Sequence, residues 1–267
     1  MSLSVYVYRN NKDLSIEVAD RINSILENKG LRVVNQYSTS IDLLICIGGD
    51  GTFLSFVHRY GFPQAPIISI NTGHLGFFQE ANPDEAEKII DCYLAGNYKI
   101  QTIKTIEAII DTTKDTYHRY GINELMIRGP FSHVSQYRVS ITDTVIEDFS
   151  GDGLLISTPV GSTAYNYSLG GSLVSPELDL LQITPVAPMN TNAYRCFHSS
   201  IILPSDEIIT VRGINRSEKG TIILSFDGRA HEFNNVKKIT IRKSCNDIHL
   251  VRFADYDYWK KLKGKLI

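Results

Sequence analysis

The run Ile41-Asp42-Leu43-Leu44-Ile45-Cys46-Ile47 is almost continuously apolar, and it ends in Gly48-Gly49-Asp50-Gly51-Thr52. A run of this kind suits a strand buried on both faces, the usual condition of a parallel strand covered by helices. The glycines after it let the backbone approach an anion and adopt angles closed to other residues. Thr52 is expected to cap a helix beginning with Phe53-Leu54-Ser55-Phe56-Val57, leaving unpaired N–H groups and the positive end of a dipole beside the turn. A carboxylate there repels phosphate, so Asp50 needs a reason to be present. Metal binding, ribose binding and general-base chemistry each supply one, and so does simple helix capping. The G-x-G-x-x-G spacing is absent and no Gly-Lys-Ser/Thr follows, which removes the dinucleotide fingerprint and the P-loop.

The segments around this strand alternate in period. Val5-Tyr6-Val7-Tyr8 reads as a strand, and residues 13–28 place Ile16, Ala19, Ile22, Ile25 and Leu26 at helical spacing before Gly30. Leu31-Arg32-Val33-Val34 and Pro66-Ile67-Ile68-Ser69-Ile70-Asn71 are further strands, and a helix is expected over 83–95. The reading is an α/β domain with a mainly parallel sheet over residues 1–100. From there to residue 250 short alternating runs dominate, such as Gln136-Tyr137-Arg138-Val139-Ser140-Ile141 and Thr221-Ile222-Ile223-Leu224. These predict a β-rich, largely antiparallel domain. Residues 251–267 turn aromatic and basic, with Phe253, Tyr256, Tyr258 and Trp259, and are expected to pack back on the first domain.

Composition narrows the partners. With 43% hydrophobic and 21% charged residues the chain is an ordinary globular one. A net charge of −2 lacks the basic signature of a nucleic-acid binder. No run is long and apolar enough to cross a membrane, and Met1-Ser2-Leu3-Ser4 leads into a strand rather than a signal peptide, so a cytoplasmic protein is expected. Cys46, Cys92, Cys196 and Cys245 lack ligand spacing, as do His74, His133 and His198; free thiols and no protein-held metal are expected.

A second dense motif spans residues 151–166, Gly151-Asp152-Gly153 through Thr163-Ala164-Tyr165-Asn166, with Gly170-Gly171 beyond it. Small residues and hydroxyls beside a Tyr suit a ribose or amide and a stacked ring, although a hydroxyl-rich turn between strands would look similar. Asn123-Glu124 opens the apolar run Leu125-Met126-Ile127, a weak signal by itself.

Gly48 to Thr52, then Asn71-Thr72-Gly73-His74-Leu75-Gly76-Phe77, then Asn123-Glu124, then the 151–166 block stand in the order found in NAD kinases, and Leu169-Gly170-Gly171 and Ser225-Phe226-Asp227-Gly228 also resemble that family. The Gly-Gly-Asp-Gly turn by itself is shared with diacylglycerol kinases and phosphofructokinases; the later motifs are more specific. The resemblance implies transfer of a phosphoryl group from ATP, or from polyphosphate, to the 2′-hydroxyl of the adenosine ribose of NAD, with Mg²⁺ or another divalent cation. It implies that Asp50 is the general base and that Gly48, Gly49 and Thr52 hold phosphate. Gly51 and Phe77 would lie beside the substrate, and Asn123 and Glu124 would hold the ribose or amide part of NAD. Asp152, Thr163, Ala164, Tyr165, Asn166, Tyr167 and Ser168 would contact adenine and nicotinamide, with Tyr165 stacking, and Ala187 would add a further nucleotide contact. A homotetramer or homodimer is implied as well. A lipid or sugar kinase of the same superfamily, or a non-catalytic nucleotide-binding protein, remains as an alternative; the 163–166 block argues against the first and Asp50 against the second.

Overall fold

The computed structural model describes residues 2–74, 76–130, 134–190, 195–214 and 220–266; Leu75 and His133, named above, lie outside them. The chain divides into two compact units, residues 1–103 with 246–267 and residues 104–245.

The first unit runs β1 (Ser4–Arg9), α1 (Asp13–Asn28), β2 (Arg32–Val34), β3 (Leu43–Ile47), α2 (Asp50–Arg59), β4 (Ile67–Ile70), α3 (Ala86–Leu94) and β5 (Lys99–Ile103). The second contributes β6 (Ile106–Thr112), β7 (Thr116–Gly121), β8 (Glu124–Arg128), β9 (Ser135–Ile141), β10 (Thr144–Gly151), β11 (Gly153–Ser157) and the short helix α4 (Tyr165–Ser168). It continues with β12 (Leu180–Val186), β13 (Ile201–Pro204), β14 (Ile209–Gly213), β15 (Ile222–Phe226), β16 (Arg229–Phe233) and β17 (Val236–Lys243). The chain then returns to the first unit as β18 (Ile248–Arg252) and α5 (Tyr258–Leu266).

The first sheet has the order β2-β1-β3-β4-β18-β5. Every neighbouring pair is parallel except β18 with β5. All five residues of β3 are buried, as its unbroken apolar run requires. The α1 helix places Val18, Ala19, Ile22 and Leu26 against this sheet, where they join Val5, Leu43, Ile45 and Ile68 in one core. The tail does pack back on this unit, but the return begins before residue 251, because Ile248–Arg252 is itself a strand of the sheet. Strand order reverses at β1, so the turn after β3 opens at the topological switch point, where α/β sheets bind ligands.

The second unit is two antiparallel sheets, β10-β9-β14-β17-β6-β7 and β13-β12-β11-β8-β15-β16. Alternate residues from both sheets meet in one core, with Ile106, Ala108 and Ile110 of β6 and Leu125 and Ile127 of β8 among them. Period-two alternation then puts Glu124, Met126 and Arg128 on the opposite face of β8.

Candidate active site

In the first unit the turn after β3 is shaped by Thr52. A Cβ on Gly48, whose φ is +155°, would fall 2.3 Å from Thr52 Oγ1, so only glycine leaves room. Thr52 does not cap the helix as expected. The N-cap is Gly49, α2 begins at Asp50, and the Thr52 hydroxyl accepts from Asn10 Nδ2 at 3.0 Å. The helix therefore starts three residues early and includes Asp50 in its first turn, leaving the N–H groups of Asp50 and Gly51 without an intrahelical acceptor.

Asp50 is not a capping residue either. Its Oδ1 accepts from the backbone N–H of Phe77 at 3.0 Å and of Phe78 at 3.1 Å, and Lys265 Nζ of α5 donates to Oδ2 at 2.7 Å. The carboxylate is thus turned onto the 76–78 backbone, which brings two distant motifs together within the unit. Gly76 makes that approach possible, since a Cβ there would lie 2.5 Å from Asp50 Oδ1. The same backbone is held from behind by buried Arg252, which donates to Phe77 O at 3.2 Å, Phe78 O at 3.3 Å and Glu80 Oε2 at 2.9 Å. Burial holds the Glu80 carboxyl above its ordinary range even with Arg252 beside it. Phe77 stays partly exposed, its ring 4.6 Å from Lys265 Nζ.

In the second unit Asp227 organises the Asn123-Glu124 pair. Asp227 and Gly228 both have positive φ, +46° and +79°, and form the tight turn between β15 and β16. From that turn the carboxylate accepts the N–H of Ile122 and of Asn123, both at 2.7 Å. Glu124 starts β8 with its carboxyl pushed up to about 8, first by burial and then by the charge of Asp227. Asn123 Oδ1 and Glu124 Oε2 are buried and have no hydrogen-bond partner within the protein, a state expected of groups awaiting a polar ligand. Glu124, Met126 and Arg128 line a cavity of about 310 Å³ together with Tyr165, Phe226 and Asp227.

The 151–166 block is tied to the same place. Thr158 Oγ1 donates to Ile122 O at 2.7 Å, and a Cβ on Gly161 would fall 1.9 Å from Asn123 O, so only glycine permits the turn Val160–Thr163 to pack there. Thr163 and Ala164 are half-buried beyond it, and Tyr165, Tyr167 and Ser168 are exposed on α4. Asn166 points elsewhere: it is fully buried, accepts from Thr184 Oγ1 at 2.6 Å and packs against Gly171, so it builds the loop. Asp152 and Ala187 are exposed together at the opposite end of β11, where Gly153 pairs with Val186, whereas Ser157 at the near end pairs with Glu124. The predicted contacts of this unit therefore lie along one strand some five residues long, roughly 16 Å.

Sequence reasoning missed Arg252 and Lys265 as parts of the Asp50 environment, and missed Asp227 as the anchor of Asn123-Glu124. The Asp-Gly pair was a hairpin signal, but nothing local pairs it with residue 123.

The first unit thus offers free N–H groups beside a fixed carboxylate, and the second a pocket with unpartnered polar atoms and an exposed aromatic, features that suit a polar ligand carrying an anion and a ring. Two family models match, the ATP-NAD kinase N-terminal domain over residues 31–98 and the ATP-NAD kinase C-terminal domain over residues 122–253. An NAD kinase of Finegoldia magna is 36% identical over 98% of this chain and 97% of its own length, and NAD kinase 2 of Bacillus subtilis is 33% identical over 97% and 96%. The chain belongs to the NAD kinase family. Its fold is also that of a yeast NADH kinase solved with NADH, at TM-score 0.86, 20% identity and coverage of 99% of this chain and 87% of that one. An Archaeoglobus fulgidus NAD kinase solved with ATP aligns at TM-score 0.78, 22% identity and 98% coverage of both.

Proposed function

We propose that the protein phosphorylates the adenosine-ribose 2′-hydroxyl of NAD to give NADP, with Asp50 as the general base. The observation that carries the role of Asp50 is its fixed carboxylate: the backbone N–H groups of Phe77 and Phe78 hold Oδ1 at 3.0 and 3.1 Å, and the Phe77 N–H reaches Oδ2 at the longer distance of 3.2 Å, which leaves Oδ2 the less engaged of the two by the backbone. A ribose hydroxyl is a poor nucleophile at neutral pH, so an aligned base lowers the barrier as the new bond to phosphorus forms. The start of α2, with the N–H groups of Asp50 and Gly51, supplies donors for phosphate oxygens, while Gly48 spends its own N–H on Ile70 O at 2.9 Å and serves the turn by its conformation. In the second unit Asn123 and Glu124 meet ribose or amide groups through their unpartnered oxygens, Tyr165 stacks on a ring, and Asp152 and Ala187 hold the far end of the dinucleotide.

The donor in this reading is ATP or polyphosphate. A divalent cation, Mg²⁺ for instance, enters with the donor's phosphates, whose oxygens are its preferred ligands. Among the described residues no three His, Cys, Asp or Glu side chains gather around a metal position; Asp50 alone offers a carboxylate beside the turn, which fits a cation held mainly by phosphate and water. When bound, the cation would offset the charge of the donor phosphates. The edge strand β10 exposes Val145 and Ile146, which supports a homodimer or homotetramer. No helix among the described residues is long and apolar enough to cross a membrane, and we place the protein in the cytoplasm.

Purified protein given NAD, ATP and Mg²⁺ is expected to form NADP, and Asp50→Asn to lose more than about 10²-fold in turnover. No NADP from ATP or polyphosphate under conditions where NAD binds would end the kinase reading. Full turnover by Asp50→Asn would end the base assignment alone.

A further inference from the structure

The sequence offers no lysine next to the phosphate-binding turn, yet the fold brings one there. Lys265, on the last turn of α5, donates to Asp50 Oδ2 at 2.7 Å, with its side chain about one-third exposed. Oδ1 takes both backbone N–H groups and Oδ2 only the longer one from Phe77, at 3.2 Å, so Lys265 occupies the oxygen with the more room for a substrate hydroxyl.

A second observation stands beside it. Gln79 is only 3% exposed, and neither its Oε1 nor its Nε2 has a hydrogen-bond partner. A Cβ on Gly76 would fall 1.7 Å from Gln79 Oε1 and 2.5 Å from Asp50 Oδ1, so the amide and the carboxylate converge above the same glycine. An amide buried without partners is costly unless something else satisfies it. An ammonium, an unpaired amide and the start of a ten-residue helix together make a donor set for an anion larger than one carboxylate.

We propose that Lys265 is a further catalytic residue, one that leaves Asp50 Oδ2 as the hydroxyl arrives and binds the non-bridging oxygens of the phosphoryl group in transfer. The proposal rests on the kinase reading above. In the step, the ribose 2′-oxygen bonds to the terminal phosphorus of a nucleoside triphosphate while the bond from that phosphorus to its bridging oxygen breaks. The nucleoside diphosphate leaves with that electron pair, and the hydroxyl proton passes to Asp50 Oδ2. Once protonated, Asp50 no longer attracts the ammonium, and the negative charge that remains nearby is on the phosphoryl oxygens. The lysine follows the charge and stays protonated throughout.

The test compares Lys265→Met and Lys265→Arg with wild type in three readouts: steady-state NADP formation, calorimetric binding of ATP with Mg²⁺, and thermal unfolding. Lys265→Met is expected to lower kcat about 10²-fold, to weaken ATP binding about tenfold, and to leave both the KM for NAD and the unfolding temperature nearly unchanged. Lys265→Arg is expected to restore a large part of kcat. A Lys265→Met enzyme with wild-type or higher kcat would show a lysine that only shields Asp50 and would overturn the proposal. So would equal ATP affinity in the two proteins. If Lys265→Met does not fold, the proposal stands or falls on whether Lys265→Arg keeps kcat within tenfold of wild type. Wild-type turnover reports on the kinase reading itself, and the ATP-affinity ratio still tests Lys265 if that turnover is zero.

Discussion

Asp227 accepts the backbone N–H of Asn123 at 2.7 Å across 104 positions of sequence. One carboxylate thereby fixes the course of residues 122–124 and, by its charge, helps to raise the Glu124 carboxyl. Replacing it with Asn keeps the shape and one acceptor oxygen but removes the charge. Asp227→Asn is expected to cost about 2 kcal/mol of stability, the worth of a charge-assisted pair of hydrogen bonds, and to move the Glu124 titration downward. Carboxyl-carbon NMR against pH checks the second effect; an unmoved Glu124 would remove Asp227 from its environment.

Glu124 makes stability depend on pH in a stated direction. Its folded value of about 8 lies above the ordinary 4.5, so the folded chain holds a proton that the unfolded chain releases between those values. The contribution is fully present below pH 4.5 and is lost as pH rises through about 8. The loss is on the order of 5 kcal/mol as an upper bound. Denaturant midpoints of wild type and Glu124→Gln should therefore diverge from pH 5 to pH 9, with wild type falling further. Parallel curves would contradict this.

Arg252 is buried with Glu80, side chains 7% and 3% exposed, and also holds the 77–78 carbonyls. Removing one partner of such a pair leaves a buried charge, at about 3–5 kcal/mol. Arg252→Met is expected to lose that much in urea unfolding and to lower turnover by loosening the N–H groups on Asp50. Arg252→Met combined with Glu80→Gln should regain part of the stability, and a double variant no more stable than the single one would count against the pair as the cause.

Gly161 packs its backbone onto Asn123, where a Cβ would come within 1.9 Å of the carbonyl oxygen. Backbone cannot give way as a side chain does. Gly161→Ala is expected to cost about 1–3 kcal/mol and to raise the KM for NAD more than it lowers kcat. A KM within twofold of wild type would show that Asn123 had not been displaced.

Much of the first unit is legible because its signals are local. The run into Gly48 is apolar at every buried position, and residues 13–28 carry a clean helical period, so α1 is found at its observed bounds. The second unit shows its alternation, as in β9 and β15, but not its pairing, because register across two sheets is set by contacts far apart in sequence. The same limit applies at the site. Motif order suggests Asp50, Asn123 and Glu124, whereas the partners that orient and charge them, Lys265, Arg252 and Asp227, arrive from distant segments. Asn166 illustrates the reverse: its motif points to a ligand, while its amide is spent on Thr184 and the loop that Gly171 closes.

The place of β18 between β4 and β5 has a consequence for the order of folding on the ribosome. When residue 103 emerges, the first sheet has β5 but not the strand that joins it to β4, so an apolar slot stays open while roughly 140 further residues are made. At about 5–20 residues per second that interval lasts on the order of 10–30 s. The inserted unit, continuous in sequence, is able to close its own core within that time. Nascent-chain protease resistance should therefore appear first in residues 104–245, and the Asp50 turn should acquire its rigid backing only after Arg252 has left the exit tunnel.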